Sequence, residues 1–142
     1  MKADDTVPAA TSSWMTLAGY GLTGVSALFF LMDAGMKLMQ LPIVLQTTAQ
    51  LGWPTSSVVP LGMILLVSTL LYIFPRTSIL GAVLLTGYLG GAVATHARID
   101  SPLFTHTLFG FYVGVILWAG LYLRDPVLRS VFPARCLARA NG

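Results

Sequence analysis

Ionisable side chains lie within or at the ends of long apolar runs in this sequence, where a charge is costly and a functional reason is worth testing. Asp33 and Lys37 are four residues apart near the end of the first run, a spacing that puts both on one helix face, so we expect them to pair. The other groups lie where the third run ends and the fourth begins: His96, Arg98, Asp100 and His106. We call these six residues the polar cluster.

Two interpretations of the polar cluster stay open. In the first, it forms a ligand site at one mouth of a helix bundle, and the candidate residues are Asp33, Lys37, Tyr88, His96, Arg98 and His106. In the second, its groups only satisfy one another as a structural network, and the histidines bond loop carbonyls. Under both, the short Asp33 side chain cannot reach water and needs a fixed partner, which Lys37, Arg98 or His96 could supply.

The residues that metal binding and covalent catalysis require are sparse. A metal site would have to combine His96 and His106 with Asp33 or Asp100, because the chain has only 2 histidines, and we predict no metal. Cys136 is the only cysteine, which excludes an internal disulfide and a Cys-x-x-Cys redox pair. There is no nucleophile–His–Asp pattern, phosphate loop or glycosidase-type acidic pair. We therefore predict no catalytic residues and do not expect a complete enzyme, although its enzymatic status stays open.

Composition points to lipid as the solvent of this chain. Of its 142 residues 56% are hydrophobic and 9% are charged, and the mean hydropathy is +0.79. Soluble domains carry about 25% charged residues. A membrane helix needs about 20 apolar residues, and four runs are suitable: Trp14–Leu38, Val58–Phe74, Ser78–Ala97 and Leu103–Leu123.

The connections between the runs predict an all-α, four-helix up-down bundle embedded in the membrane, because short links make neighbouring helices antiparallel. The first connection is longer, and Pro42 could open a short helix that lies in the membrane interface. We divide the chain into a disordered N-terminus (1–13), a transmembrane domain (14–123) and a basic tail (124–142).

Lysine and arginine predict the orientation. One side of the predicted topology carries six of them, and the other carries Lys37 and Arg98; the six are Lys2, Arg76, Arg124, Arg129, Arg135 and Arg139. Cytoplasmic loops are enriched in these residues, so we expect both termini in the cytoplasm. Because the basic residues lie between and after the apolar runs, they predict no nucleic-acid partner.

Small and aromatic residues suggest how the helices pack. Gly87 and Gly91 recur at a four-residue spacing on the third span, and Gly110 and Gly114 do so on the fourth, which favours close helix contacts inside the bundle over a dimer face. Aromatic residues toward the ends of the spans, such as Tyr72 and Trp118, are expected to act as interfacial anchors.

Three stretches carry a resemblance to the DoxX-like family of small bacterial membrane proteins. FPRTSILGAVLLTGYLGGAVATHAR (Phe74–Arg98) is the most specific, and LGWP (Leu51–Pro54) and WAGLYLRDPVLRSVFPAR (Trp118–Arg135) are similar too. Lys37 falls where that family tends to have a lysine at the end of the first span. Members often carry an acidic residue midway through the second span, where this chain has Leu65, so a function that needs that carboxylate is not expected here.

The resemblance implies a four-helix bundle in the bacterial inner membrane. The wider DoxX group is associated with quinone-linked sulfur oxidation and redox-stress complexes, and distant eukaryotic relatives act as membrane-protein chaperones. Our first hypothesis is therefore a non-catalytic accessory subunit of a membrane redox system that binds a quinone- or lipid-like ligand at the outer mouth, between aromatic walls formed by Tyr88, Phe109, Tyr112 and Trp118. The sequence requires no cofactor. The alternatives are an assembly or interaction factor with a membrane-protein partner or a second copy and, least favoured, a small-solute transporter.

Overall fold

The computed structural model describes residues 13–131, and over this range the chain is helical without strands. Its helices are α1 (Ser13–Leu38), α2 (Pro42–Gln50), α3 (Val58–Ile73), α4 (Ser78–Arg98), α5 (Phe109–Arg124) and α6 (Pro126–Val131). A 3₁₀ turn at Thr55–Ser57 leads into α3, and a π-helical turn at Leu103–Thr107 leads into α5. The predicted N-terminal disorder and Cys136 lie outside the described residues.

Within residues 13–131, four helical segments are long and apolar enough to cross a membrane: Ser13–Leu38, Thr55–Ile73, Ser78–Arg98 and Leu103–Arg124. The predicted spans are confirmed to within a few residues at each end. We call the end of the bundle that carries Lys37, His96 and His106 the outer end, and the end that carries Arg76 and Arg124 the inner end.

The four long helices form a ring in chain order. Helix α1 packs against α3 and α5, and α4 also packs against α3 and α5, as the short connections predict. Completely buried side chains fill the centre, among them Phe30, Leu65, Tyr72, Leu85 and Leu117. Leu65 occupies the position at which the resemblance suggested a missing carboxylate, and it is a core residue here.

Glycines allow close helix contacts at several positions that the sequence analysis did not choose. A Cβ atom on Gly81 would overlap the backbone of Tyr72, so α3 and α4 touch there. A Cβ atom on Gly120 would lie 2.9 Å from the backbone nitrogen of Thr23, which joins α5 to α1. The predicted packing face on Gly87 and Gly91 is wrong, because a Cβ atom on either would meet no other part of the bundle within 4 Å.

Gly110 and Gly114 do face a neighbouring helix. Their Cβ positions lie 2.9 Å from Val93 Cγ2 and 3.6 Å from Leu89 Cδ1, respectively, so this part of α5 rests against α4. The small-residue pattern thus identifies a helix contact on the fourth span and a surface on the third.

Helix α2 occupies the first connection at the outer end, as Pro42 at its start predicted. None of its residues is buried. Helices α1 and α4 both end at the outer end through a residue with left-handed backbone, Gln40 and Asp100, each with φ of 51°. After each, an amide N–H bonds back across the last turn, from Leu41 to Met36 and from Ser101 to His96, which stops the helix sharply and holds the polar side chains nearby.

Candidate functional site at the outer end

Asp33 and Lys37 form the expected ion pair on α1. Both side chains are more than two-thirds buried, with 25% and 16% of their surfaces exposed. The Lys37 stem crosses to α3, where a Cβ atom on Gly62 would lie 2.9 Å from Lys37 Cβ. Gly62 therefore leaves room for the lysine stem, and the pair lies at the contact between the first and second spans.

Tyr88 is half-buried on α4 and packs against the buried core. Asp33 lies within electrostatic range of its hydroxyl group, which links the α1 ion pair to the third span.

His96 and His106 lie side by side, with ring centroids 5.9 Å apart. Each Nδ1 has a hydroxyl neighbour: Ser101 Oγ lies 3.2 Å from that of His96, and Thr105 Oγ1 lies 2.8 Å from that of His106. The π-helical turn produces this arrangement because it brings His106 back toward the end of α4. When the hydroxyl groups donate to Nδ1, the ring protons reside on Nε2, which can then donate to an acceptor such as a carbonyl oxygen.

Arg98 binds the chain's own loop. Its Nη2 donates a 2.9 Å hydrogen bond to the carbonyl oxygen of Leu51, and the indole nitrogen of Trp53 donates to Thr95 Oγ1 at 3.3 Å. Gly52, with φ of +76°, lies between them, and a Cβ atom there would stand 3.1 Å from Arg98 Nη2. The LGWP segment and the end of α4 are thus held together by two side-chain contacts.

The structure divides the sequence-predicted candidates into three groups rather than one: the Asp33–Lys37 pair with Tyr88 nearby, the two histidines, and Arg98 on the loop. Within residues 13–131 no ion pair or hydrogen bond joins Asp33 to His96 or Arg98. In the same range no set of three or more His, Cys, Asp and Glu side chains converges as a metal-binding group.

A groove runs between α4 and α5 on the outside of the bundle, with a volume of about 680 Å³. We call it the α4–α5 groove, and its lining includes Leu89, Gly90, Leu108, Gly110, Gly114 and Trp118. The indole nitrogen of Trp118 donates to Thr86 Oγ1 at 2.9 Å, across the groove. Leu108 lies at its outer end, directly after the π-helical turn that carries His106.

Of the four aromatic residues predicted to surround a ligand at the outer mouth, Trp118 lines this groove. Phe109 faces α1, where its ring centroid lies 5.7 Å from that of Phe29. Neither Tyr88 nor Tyr112 lines the groove, whereas Phe111 and Tyr122 do. The signal that could have found it is the coincidence of glycines on two neighbouring spans, Gly90 with Gly110 and Gly114, because missing side chains on facing helices leave a gap.

Comparison with known proteins gives one finding about kinship. A family model described as the DoxX-like family matches residues 21–120, which is more than half of the chain. Neither the curated proteins nor the solved structures provide a significant match. The chain belongs to the DoxX-like family.

Proposed function

We propose that this DoxX-like membrane protein is a non-catalytic accessory subunit of a membrane redox system, and that it holds a quinone- or lipid-like ligand at its outer end. The observation that carries the proposal is the α4–α5 groove, an apolar groove whose lining includes Leu108, two residues after His106. Its volume of about 680 Å³ is in the range of small-molecule sites, which is about 300–1,000 Å³.

The groove and the histidines match the two parts of an amphiphile. A tail in the groove would exchange contact with lipid for contact with Gly90, Gly114 and the Trp118 ring. A polar head at the outer end would meet the imidazole Nε2 groups of His96 and His106, and an N–H donor there suits a quinone carbonyl or an ester oxygen. The redox setting and the bacterial inner membrane come from the family resemblance. The lysine and arginine distribution supports an orientation with both termini in the cytoplasm.

Fluorescence quenching by a short-chain quinone tests this proposal. Trp14→Phe and Trp53→Phe leave Trp118 as the only tryptophan of the chain, and it lines the groove. We expect decyl-ubiquinone or a menaquinone analogue to quench this protein in detergent micelles with a saturable curve. A linear dependence on quinone concentration, as for partitioning into the micelle, would contradict the groove as a quinone site.

Two adjacent glycines provide a matched pair of variants. Gly90→Leu puts a side chain into the groove, whereas Gly91→Leu puts one beside it. A Cβ atom at either position would meet no other part of the bundle within 4 Å. Gly90→Leu should abolish saturable quenching and Gly91→Leu should keep it.

His96→Gln with His106→Gln should weaken quinone binding without changing the groove, and equal quenching in all these proteins would refute the proposed head and tail sites. Mass spectrometry of extracts from the purified protein then distinguishes a bound quinone from a bound lipid.

The alternative, an assembly or interaction factor, draws support from a different surface. Gly87 and Gly91 are exposed on α4 with open space around them, and small residues four apart favour close approach of another membrane helix. In a Cys136→Ser background, Gly91→Cys should then cross-link to a partner or a second copy in membranes, and Gly24→Cys on the exposed side of α1 is the control. Absence of cross-linking at Gly91→Cys would count against this alternative.

A further inference from the structure

Arg124, the last residue of α5, is a cation at the inner end of the bundle that pairs with no carboxylate among the described residues. Its Nη2 donates to the carbonyl oxygen of Tyr72 at 2.9 Å, and its guanidinium carbon lies 5.3 Å and 5.9 Å from the ring centroids of Tyr72 and Tyr20. The Nε atom is buried and has no hydrogen-bond acceptor among the described residues. No carboxylate in residues 13–131 forms an ion pair with it.

The neighbouring carboxylate, Asp125, is engaged through one of its oxygens by the backbone of α6. Asp125 Oδ1 accepts the backbone N–H groups of Val127 at 2.9 Å and Leu128 at 3.1 Å, so it caps the short helix α6. Lys37 at the outer end, by contrast, has Asp33 as its partner. A half-buried guanidinium is costly unless its charge is compensated, and an anion does so best.

Arg124 opens into a pocket of about 330 Å³ whose lining also includes Tyr20, Ser78 and the carboxylate residue Asp125. Ser78 is the first residue of α4, and no side chain caps that helix, so its free N–H groups and the positive end of its dipole add to the attraction for an anion. Arg76 is exposed in the adjoining turn, which makes this end of the bundle more positive still.

We propose that this pocket binds the phosphate group of an anionic phospholipid. Phosphate matches the chemistry, because a guanidinium donates two parallel hydrogen bonds to it and a tyrosine hydroxyl can add a third. The lipid is the source that the position favours: the pocket lies where two membrane-spanning helices end, and Tyr20, 55% exposed, lies on its edge as interfacial aromatic residues do. A basic pocket at the end of membrane helices is a known setting for anionic headgroups. This inner-end site is independent of the proposed ligand at the outer end.

Thermal unfolding of the full-length protein in detergent, with and without added lipid, tests the proposal. Phosphatidylglycerol or cardiolipin should raise the melting temperature of the unmodified protein, and phosphatidylcholine should not. Arg124→Gln should lose that selectivity and weaken the binding of anionic lipid by about tenfold, as expected for one charge-assisted hydrogen bond. Arg76→Gln removes one charge from the same end without touching the pocket and should keep the selectivity.

Because Arg124→Gln could fold poorly, Arg124→Lys provides a second test that keeps the charge and removes the planar fork. It should keep a melting transition and bind anionic lipid more weakly than the unmodified protein does. Equal lipid responses in Arg124→Lys, Arg76→Gln and the unmodified protein would overturn the assignment to Arg124.

Two further arms separate the other sources of an anion. Saturable binding of inorganic phosphate that depends on Arg124, with no difference between anionic and zwitterionic lipid, would overturn a lipid site in favour of a free-phosphate site. Asp4→Asn with Asp5→Asn removes the two carboxylate side chains that lie outside the described residues. An anionic-lipid response that appears only in this variant would indicate that the chain's own carboxylates occupy Arg124, and would refute the proposal.

Discussion

Tyr72 donates a hydrogen bond of 2.9 Å from its hydroxyl to the carbonyl oxygen of Leu117, which joins the second and fourth spans across the centre of the bundle. Thr23 Oγ1 lies 3.4 Å from the same hydroxyl, so the first span meets the others at this point. The second and fourth spans are on opposite sides of the ring, and Tyr72 therefore acts as a brace between them rather than as an interfacial anchor.

Removing that hydroxyl should destabilise the bundle modestly. We expect Tyr72→Phe to lower the free energy of unfolding by about 0.5–1.5 kcal/mol, the range for a hydrogen bond between membrane helices. Tyr112→Phe, at a tyrosine that is 43% exposed, is the control and should change little. Thermal unfolding in detergent measures both, and an equal shift in the two variants would mean that the brace contributes nothing specific.

Gly81 should tolerate no side chain. A Cβ atom there would overlap the backbone of Tyr72 and lie 2.7 Å from the carbonyl carbon of Leu71, so Gly81→Ala has to push α3 and α4 apart. We expect a loss of about 1–3 kcal/mol, typical of an overpacked core. Gly91→Ala is the matched control on the same helix and should stay within about 0.5 kcal/mol of the parent. A stable Gly81→Ala protein with a lowered Gly91→Ala melting temperature would reverse our assignment of the two faces.

The contrast between Gly81 and Gly91 indicates what sequence can and cannot predict here. Apolar run length predicts the four spans, because a bilayer imposes the same length on every helix. It cannot predict which face of a span turns inward, since both the core and the lipid are apolar. Gly87 and Gly91 have the spacing of a contact face, yet the rotation of α4 points Gly81 and Leu85 at the core instead.

In the polar cluster, too, the sequence predicts the local contact and not the tertiary ones. The spacing of Asp33 and Lys37 predicts their pairing, because both lie on one helix and the helix fixes the geometry. The partner of Arg98 depends on a tertiary contact, and the neighbours of His96 depend on the π-helical turn. No local sequence pattern predicts either feature. The sequence analysis does not predict the inner-end pocket around Arg124, because membrane topology alone accounts for a basic residue at that position.

Loss of the Arg98 contact should loosen the first outer connection. Arg98→Ala removes the donor to Leu51 and keeps the hydrogen bond between Trp53 and Thr95. We expect faster amide hydrogen exchange in residues 43–57 with little change in α5, because the segment is otherwise exposed. Arg76→Ala is the control for the lost charge. Unchanged exchange after Arg98→Ala would mean that the loop is held by other contacts.

The orientation in the membrane also gives a direct test. Because the side that carries the termini has six lysine and arginine residues against two on the other side, reporter fusions at Gly142 and at Thr48 should report opposite compartments, with Gly142 in the cytoplasm. Thr48 lies in α2 at the outer end. A cytoplasmic signal at Thr48 would reverse the topology, and would also place the Arg124 pocket in the leaflet opposite to the one we expect.

The Asp33–Lys37 pair offers the sharpest separation of structure from function. Lys37→Met leaves a short carboxylate without its cation at a site where 25% of the side chain is exposed, and it should cost about 1–3 kcal/mol. Asp33→Asn should cost less, because the freed lysine can extend toward the headgroups. Combining the two changes removes both charges, so a double-mutant cycle should recover part of the loss, with a coupling of about 0.5–3 kcal/mol. Additive losses would mean that the ion pair contributes nothing to stability.

Quinone quenching of Trp118 in the same variants then decides the role of the ion pair. A folded Asp33→Asn protein that binds quinone less tightly would place the pair in the ligand site, whereas unchanged binding would leave it a structural contact between the first two spans.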